Sequence, residues 1–268
     1  MYDIHHHLLP GLDDGPRDMP SAVAQARQAV ADGITHIACT PHASGRYEFV
    51  PEVVAQRLEE LRAVLADEQV PLTLGLGCDF HLSVDNIEDA LAHPHRYTLN
   101  GGDYLLTELP DYGLPRTLAQ TFYELRLAGM RPILTHPERN RTLQEDPRRL
   151  EEWIDAGLLL QVTAASVLGQ MGLRAEKLAH RLLARRQAHL LATDAHDVVR
   201  RPPELAAARR LVAAQYGADY ADELCLIHPR AAFDNAEWPE PLALAAEADE
   251  ESDPPRRRSL LARLFNRN

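Results

Sequence analysis

Cysteine is scarce: Cys39, Cys78 and Cys225 are the three in 268 residues. They are too few and too scattered for a disulfide framework, which fits a reducing compartment. No stretch approaches the ~20 apolar residues of a membrane-spanning helix. Met1 runs straight into "YDIHHH" with no secretory leader, so a cytoplasmic protein is expected. Positive charge is also short, with 28 Lys and Arg against 40 Asp and Glu and a net charge of -12. That balance works against nucleic acid as a main partner, because phosphate neutralisation needs a basic face. Any phosphorylated substrate must then be met by a small, local positive site. A Gly-rich phosphate loop after the first apolar run is missing too, which counts against an open doubly wound sheet.

What is present is ordinary in bulk, 45% hydrophobic and 25% charged, and long enough for one large domain or two small ones. Seven short apolar runs recur: "YDIHHHL", "ITHIACT", "LTLGLG", "YLLTEL", "RPILTH", "LLLQVT" and "HLLATDAH". Each has the length and near-continuous apolarity of a strand buried on both faces. Between them, residues 20–33, 51–68 and 118–130 carry apolar residues at helical spacing. The alternation predicts parallel βα units, and seven strands suit a closed or nearly closed barrel. The chemistry-bearing side chains fall at the C-terminal ends of these runs: His5 and His7, His42, Asp79, Glu108, His136, then Asp194 and His196. In a parallel β/α barrel those ends share one face, so ligands spread over nearly 200 residues would converge.

Residues 1–245 are read as one domain and 246–268 as a charged, flexible tail with an acidic run, a double proline and a basic end. Leu260, Leu261, Leu264 and Phe265 would fall on one side of a short helix and arginines on the other, a pattern of membrane-surface or partner-docking segments.

On an extended strand His5 and His7 point the same way and His6 the opposite way, so the pair can grip one cation. Alone, an H-x-H pair is equally a histidine-rich turn. "TDAH" repeats the spacing, "TPH" and "THPER" each end a strand on histidine, and Glu108 lies in an apolar run where an unpaired carboxylate is costly. Mixed imidazole nitrogen and carboxylate oxygen suits manganese, iron or zinc and disfavours calcium, and the donors are too many for one ion.

Taken in order, "DIHHHLLPGLDDGP", "TPH", "LGCD", "LLTELP", "THPERN" and "TDAHDVVRRP" span residues 3–202. They resemble the PHP (polymerase and histidinol phosphatase) superfamily, and within it the bacterial metal-dependent protein tyrosine phosphatases of capsular and exopolysaccharide loci. The resemblance implies a distorted seven-stranded (β/α)7 barrel with three divalent ions, manganese, iron or zinc. His5, His7, Asp79 and Asp194 would hold one ion. Asp79 with Glu108 and His136 would hold a second, and Asp14 with His42 and His196 a third; Asp13 competes with Asp14. Where this branch usually has a bridging glutamate the chain has Asp79, which puts that metal pair in doubt unless the neighbouring His81 compensates. His6, often serine in the family, is read as packing. Arg139 and Arg201 match phosphate-contacting arginines whose planar fork grips two oxygens, with Arg200 the competing assignment beside Arg201.

A metal-bridging hydroxide would attack phosphorus in line, and no protein nucleophile is required. "CTPHASGR" imitates the cysteine loop of thiol phosphatases, but six residues separate Cys39 from Arg46, one too many, and Pro41 removes a backbone donor. His36, His93, His95, His180, His189 and His228 are read as surface or core. The implied substrate is a phosphotyrosine protein, an autophosphorylated, membrane-associated tyrosine kinase that controls polysaccharide export. The alternatives are a small-molecule phosphoesterase such as a histidinol-phosphate phosphatase, or a non-catalytic scaffold with a degraded site.

Overall fold

The computed structural model describes residues 1–110 and 113–239. The tail expected at 246–268 lies outside the described residues. The apolar runs and their continuations form nine short strands among the described residues: β1 (Tyr2–His6), β2 (His36–Cys39), β3 (His42–Ala43), β4 (Thr73–Leu76), β5 (Asp79–His81), β6 (Tyr104–Glu108), β7 (Arg131–Thr135), β8 (Leu159–Thr163) and β9 (Leu190–Ala192). Seven lie on the runs themselves, and β3 and β5 continue just past the second and third runs, each after a break. Pro41, which has no N–H to give a ladder, lies between β2 and β3. Gly77 lies between β4 and β5, where a Cβ would stand 2.5 Å from Leu99. Pairing steps across both gaps through Gly77 N–H to Cys39 O (2.9 Å) and Asp79 N–H to Pro41 O (3.1 Å).

All ladders are parallel, in two sheets ordered β1-β2-β4 and β3-β5-β6-β7-β8-β9. The strands expected in a closed or nearly closed seven-stranded barrel are parallel and divide between two sheets. Between β1 and β9 a single bridge, His6 to Ala195, stands in for a ladder. Two hydrogen bonds, Asp194 N–H to His5 O and His7 N–H to Ala195 O (both 2.9 Å), hold that seam.

Helices α1 (Met19–Ala31), α2 (Pro51–Asp67) and α4 (Leu118–Leu127) form where the spacing predicts them, and α3 (Val84–Ala92) is an addition. Asp18 caps α1 by accepting from Ser21 N–H, and Pro51 opens α2, where a missing N–H costs nothing. Val54, Leu58, Leu61 and Leu65 form the buried stripe of α2, each worth about 1.5–3 kcal/mol of burial. A smaller apolar cluster, with Ile4, Leu106, Ile133, Leu190 and Phe233 among its members, packs strands against the helix His228–Phe233. It leaves the C-terminal strand ends to polar side chains.

Candidate metal centre

His5 is near the end of β1 and His7 just beyond it; Glu108 ends β6, His136 follows β7, and Asp194 and His196 follow β9. Asp14 comes from the loop after β1. Register brings neighbours level: His42 pairs with Asp79 and His81 with Glu108. The β1–β2 register shifts between Asp3 and His6, just where the strand delivers His5. His136 and Asp194 take left-handed backbone, φ 34° and 53°. For a non-glycine residue that costs roughly 1–2 kcal/mol, and it persists only where surroundings over-determine it. It turns the chain sharply at the end of a strand and aims each side chain across the cavity mouth.

The nine residues singled out above fall into four overlapping groups, each with donor atoms within 4.8 Å of one another: His7, Asp14, His42 and His196; His5, Asp79 and His136; His5, His7 and Asp194; His42, Asp79 and Glu108. The grouping overlaps the three sets implied by the resemblance without reproducing them, since His7 joins Asp14 and Glu108 joins His42. His5 Nε2 stands 3.4 Å from both Asp79 Oδ2 and Asp194 Oδ1, and His7 Nε2 stands 3.4 Å from Asp194 Oδ1. Asp14 Oδ1 lies 3.4 Å from His42 Nε2 and 3.3 Å from His196 Nε2.

Burial decides what these spacings mean. His5 Nε2, His7 Nε2, His42 Nδ1, His196 Nε2 and both Asp79 oxygens are buried without a hydrogen bond. Each such atom costs about 1–3 kcal/mol if left alone. Donors held about 2.0–2.2 Å from a tetrahedral ion are about 3.4 Å apart, so the spacings fit cations set among these atoms. The short carboxylate of Asp79 still meets two groups, its Oδ2 lying 3.4 Å from His5 and 3.2 Å from His42 Nδ1.

Behind these atoms stands a ring of orienting partners. Gln161, hidden in the apolar run of β8, takes His5 Nδ1 at 2.9 Å. Asp13 takes His7 Nδ1 at 2.7 Å and receives His42 N–H at 3.1 Å, so the two adjacent aspartates divide the work: Asp14 faces the cluster and Asp13 orients it. His6 points away, as alternation requires, and is anchored rather than merely packed, with Nδ1 on Asp3 and Nε2 on Gln25 (both 2.9 Å). Glu138, fully buried, accepts from Thr163 N–H at 3.1 Å and ties the turn Pro137–Arg139 to β8. For Gln161 the readable signal was a polar residue inside a buried run.

Charge follows the same geometry. Burial alone would lower His5, but the carboxylates of Asp79 and Asp194 outweigh it and raise it to about 9. Burial is likewise outweighed at His42, which Asp14 and Asp79 raise to about 11. His196 is lowered to about 4 by burial and by His7. Burial, then the Arg139 charge, takes His136 well below the imidazole range. Arg139 and Arg201 both donate to Asp194 Oδ2, whose other oxygen faces His5 and His7. One buried carboxylate therefore couples both guanidinium groups to the cluster.

A cavity of about 300 Å³ lies over these atoms, walled by His42, Asp79, Arg139 and Arg201 and, at its rim, by Arg46 and Tyr47. A second, of about 390 Å³, shares Glu108, His136 and Arg139 with it and runs toward Leu109 and Arg141. Cys39 is absent from both linings and fully buried, and burial pushes its thiol above the ordinary range.

Known proteins resemble this chain in sequence and fold. The family described as "Capsular polysaccharide synthesis, CpsB/CapC" matches residues 1–234. The tyrosine-protein phosphatase YwqE of Bacillus subtilis is 36% identical over 199 residues, 74% of this chain and 78% of that protein. The tyrosine-protein phosphatase CpsB of Streptococcus pneumoniae is 28% identical over 236 residues, 86% of this chain and 97% of that one. A chain from the crystal structures of those two proteins, described there as unique metal-dependent tyrosine phosphatases, superposes with a TM-score of 0.83. It is 32% identical and covers 88% of this chain and 95% of its own. The lactonase Lmo2620 of Listeria monocytogenes, at TM-score 0.55 and 9% identity over 87% of this chain and 94% of that one, shares the fold alone. A match spanning the strands, the strand-end donors and both arginines means that the chain belongs to the CpsB/CapC family of capsular polysaccharide synthesis.

Proposed function

We propose that this protein is a metal-dependent protein tyrosine phosphatase that removes phosphate from a phosphotyrosine protein, an autophosphorylated tyrosine kinase governing capsular or exopolysaccharide synthesis. The observation that carries the reading is the set of buried, hydrogen-bond-free donors on His5, His7, His42, Asp79 and His196, which divalent cations would satisfy together. These residues, with Asp14, Glu108, His136 and Asp194, would hold three divalent ions, manganese foremost and iron or zinc as substitutes. Bound there, such ions supply Lewis-acid activation of water and of the phosphate.

The chain's own side chains do the rest. Each guanidinium has five N–H donors, and Asp194 takes a bond from both Arg139 and Arg201. The remaining donors are free to grip phosphate oxygens in a fixed fork. Asp13 and Gln161 hold His7 and His5 in one tautomer, Nδ1 protonated and Nε2 open to a cation. A phenolate leaving group, with pKa near 10, departs without a strong general acid.

The same reading takes the seven runs as one distorted barrel of residues 1–245 working in the cytoplasm, with 246–268 touching a membrane surface or the kinase. Phosphate release from a phosphotyrosine peptide, compared with histidinol phosphate and with and without manganese, tests it. Metal-dependent turnover of the peptide is expected. Preference for histidinol phosphate would sink the protein-phosphatase reading, and no turnover of either by the metal-loaded protein would leave a scaffold.

A further inference from the structure

We infer that Arg46 selects among phosphotyrosine sites by reading an anionic group beside the phosphotyrosine, an inference that rests on the phosphatase reading above. Arg46 and Tyr47 form part of the wall of the metal cavity, together with His42, Arg139 and Arg201. The Tyr47 ring stacks on His42, centroids 5.7 Å apart and 10° from parallel, and the Arg46 guanidinium lies 5.0 Å from the Tyr47 centroid. A cation is thereby carried on an aromatic face from a cluster residue out to the rim.

Arg46 differs from the other two cavity arginines in its partners. Arg139 and Arg201 are engaged by Asp194. Among the described residues Arg46 meets the Tyr47 ring and no carboxylate, in a chain of net charge -12 where arginines commonly find one. Its loop is preorganised. Ser44 N–H donates to Tyr47 O (2.9 Å), Tyr47 N–H to Ser44 O (3.2 Å), and Ser44 Oγ accepts from Arg46 N–H (3.3 Å). A rigidly presented cation binds an anion at less entropic cost than a free side chain.

Position sets what it can reach. A tyrosine side chain that delivers its phosphate to the cavity floor keeps the peptide backbone outside, at the rim. Arg46 is exposed there, so it faces the residues flanking the phosphotyrosine rather than the phosphate. The chemistry it fits is a flanking carboxylate or a second phosphorylated side chain. A neutral or basic flank gains nothing.

The test compares kcat/KM of the full-length, manganese-loaded protein on one phosphotyrosine peptide with glutamate, glutamine, lysine or a second phosphotyrosine in the flanking positions. Glutamate is expected to be preferred over glutamine by about 5-fold, the upper end for a rim ion pair. The preference should shrink as salt shortens the ~10 Å screening length of 0.1 M solution. Arg46→Gln should bring the glutamate-to-glutamine ratio to about one, and Arg46→Glu should turn it toward lysine, with Tm unchanged. If only the second phosphotyrosine is preferred, the anion read is a phosphate. Equal ratios in wild type and Arg46→Gln would overturn the role of Arg46 while leaving the phosphatase reading intact. No turnover of any peptide by the wild-type protein would overturn both.

Discussion

Two sets of buried or half-buried histidines sit at opposite ends of the strands. At the C-terminal ends, His5, His7, His42 and His196 direct nitrogens with no hydrogen-bond partner toward carboxylates 3.2–3.4 Å away. At the N-terminal ends, His189 Nδ1 accepts from Leu160 N–H at 3.1 Å, and His228 Nδ1 donates to His189 O at 2.7 Å. Trp238 lies over His228 with centroids 4.5 Å apart. The first set leaves buried ring nitrogens without a hydrogen bond, and the second leaves none. Burial therefore does not separate a metal-binding histidine from a structural one. What separates them is whether a buried ring nitrogen is left without a partner in the chain.

The comparison breaks most visibly if the cations are removed. Chelation should take phosphate release to background, and manganese should restore it. Tm should fall by about 10 °C, from the ~4 kcal/mol that ligand at a thousandfold its Kd contributes. Activity surviving chelation would remove the distinction between the two sets. Arg139→Ala should lower kcat/KM by about 10²-fold, the scale of losing one oriented donor to developing charge. A loss in KM alone would mean that Arg139 only attracts substrate.

Smaller effects sharpen it. Asp13→Asn should weaken manganese binding by about 10- to 100-fold in calorimetry, because His7 loses its orienting carboxylate; unchanged affinity would make Asp13 a loop anchor only. At the other end, burial and the His228 charge hold His189 down at about 4. Between pH 6.5 and about 4 the unfolded chain takes up a proton that the folded chain refuses, so stability falls as pH drops through that window and is unaffected above it. His189→Asn keeps an acceptor for Leu160 and removes the titration. The wild-type curve should lose up to about 3 kcal/mol relative to it across the window, read from denaturant melts; parallel curves would refute this. Cys39→Ser should leave turnover within about 2-fold, since a buried thiol with a raised pKa is a poor nucleophile. Loss of activity in a folded Cys39→Ser protein would revive a thiol mechanism.

The strands and helices were legible because their signals are local. The α2 stripe of Val54, Leu58, Leu61 and Leu65 and the apolar runs can be read without knowing any partner. The interruptions at Pro41 and Gly77 were less so. A proline just past a run is visible, but the close approach of Leu99 to Gly77 joins elements distant in the chain. In the site, residue types and strand-end positions were readable, whereas Asp13 and Asp14 are adjacent and chemically alike. Only the fold turns one toward His7 and the other toward His42 and His196.

By itself the sequence determined that polar donors stand at the ends of parallel strands and that His5 and His7 share a side while His6 does not, because side chains alternate along a strand wherever it is placed. The tertiary structure decided which nitrogen meets which oxygen, that Gln161 orients His5 across 156 residues, and that Asp194 joins both arginines to the cluster. Those choices depend on the register of strands far apart in the chain and on the left-handed turns at His136 and Asp194. No local pattern encodes them.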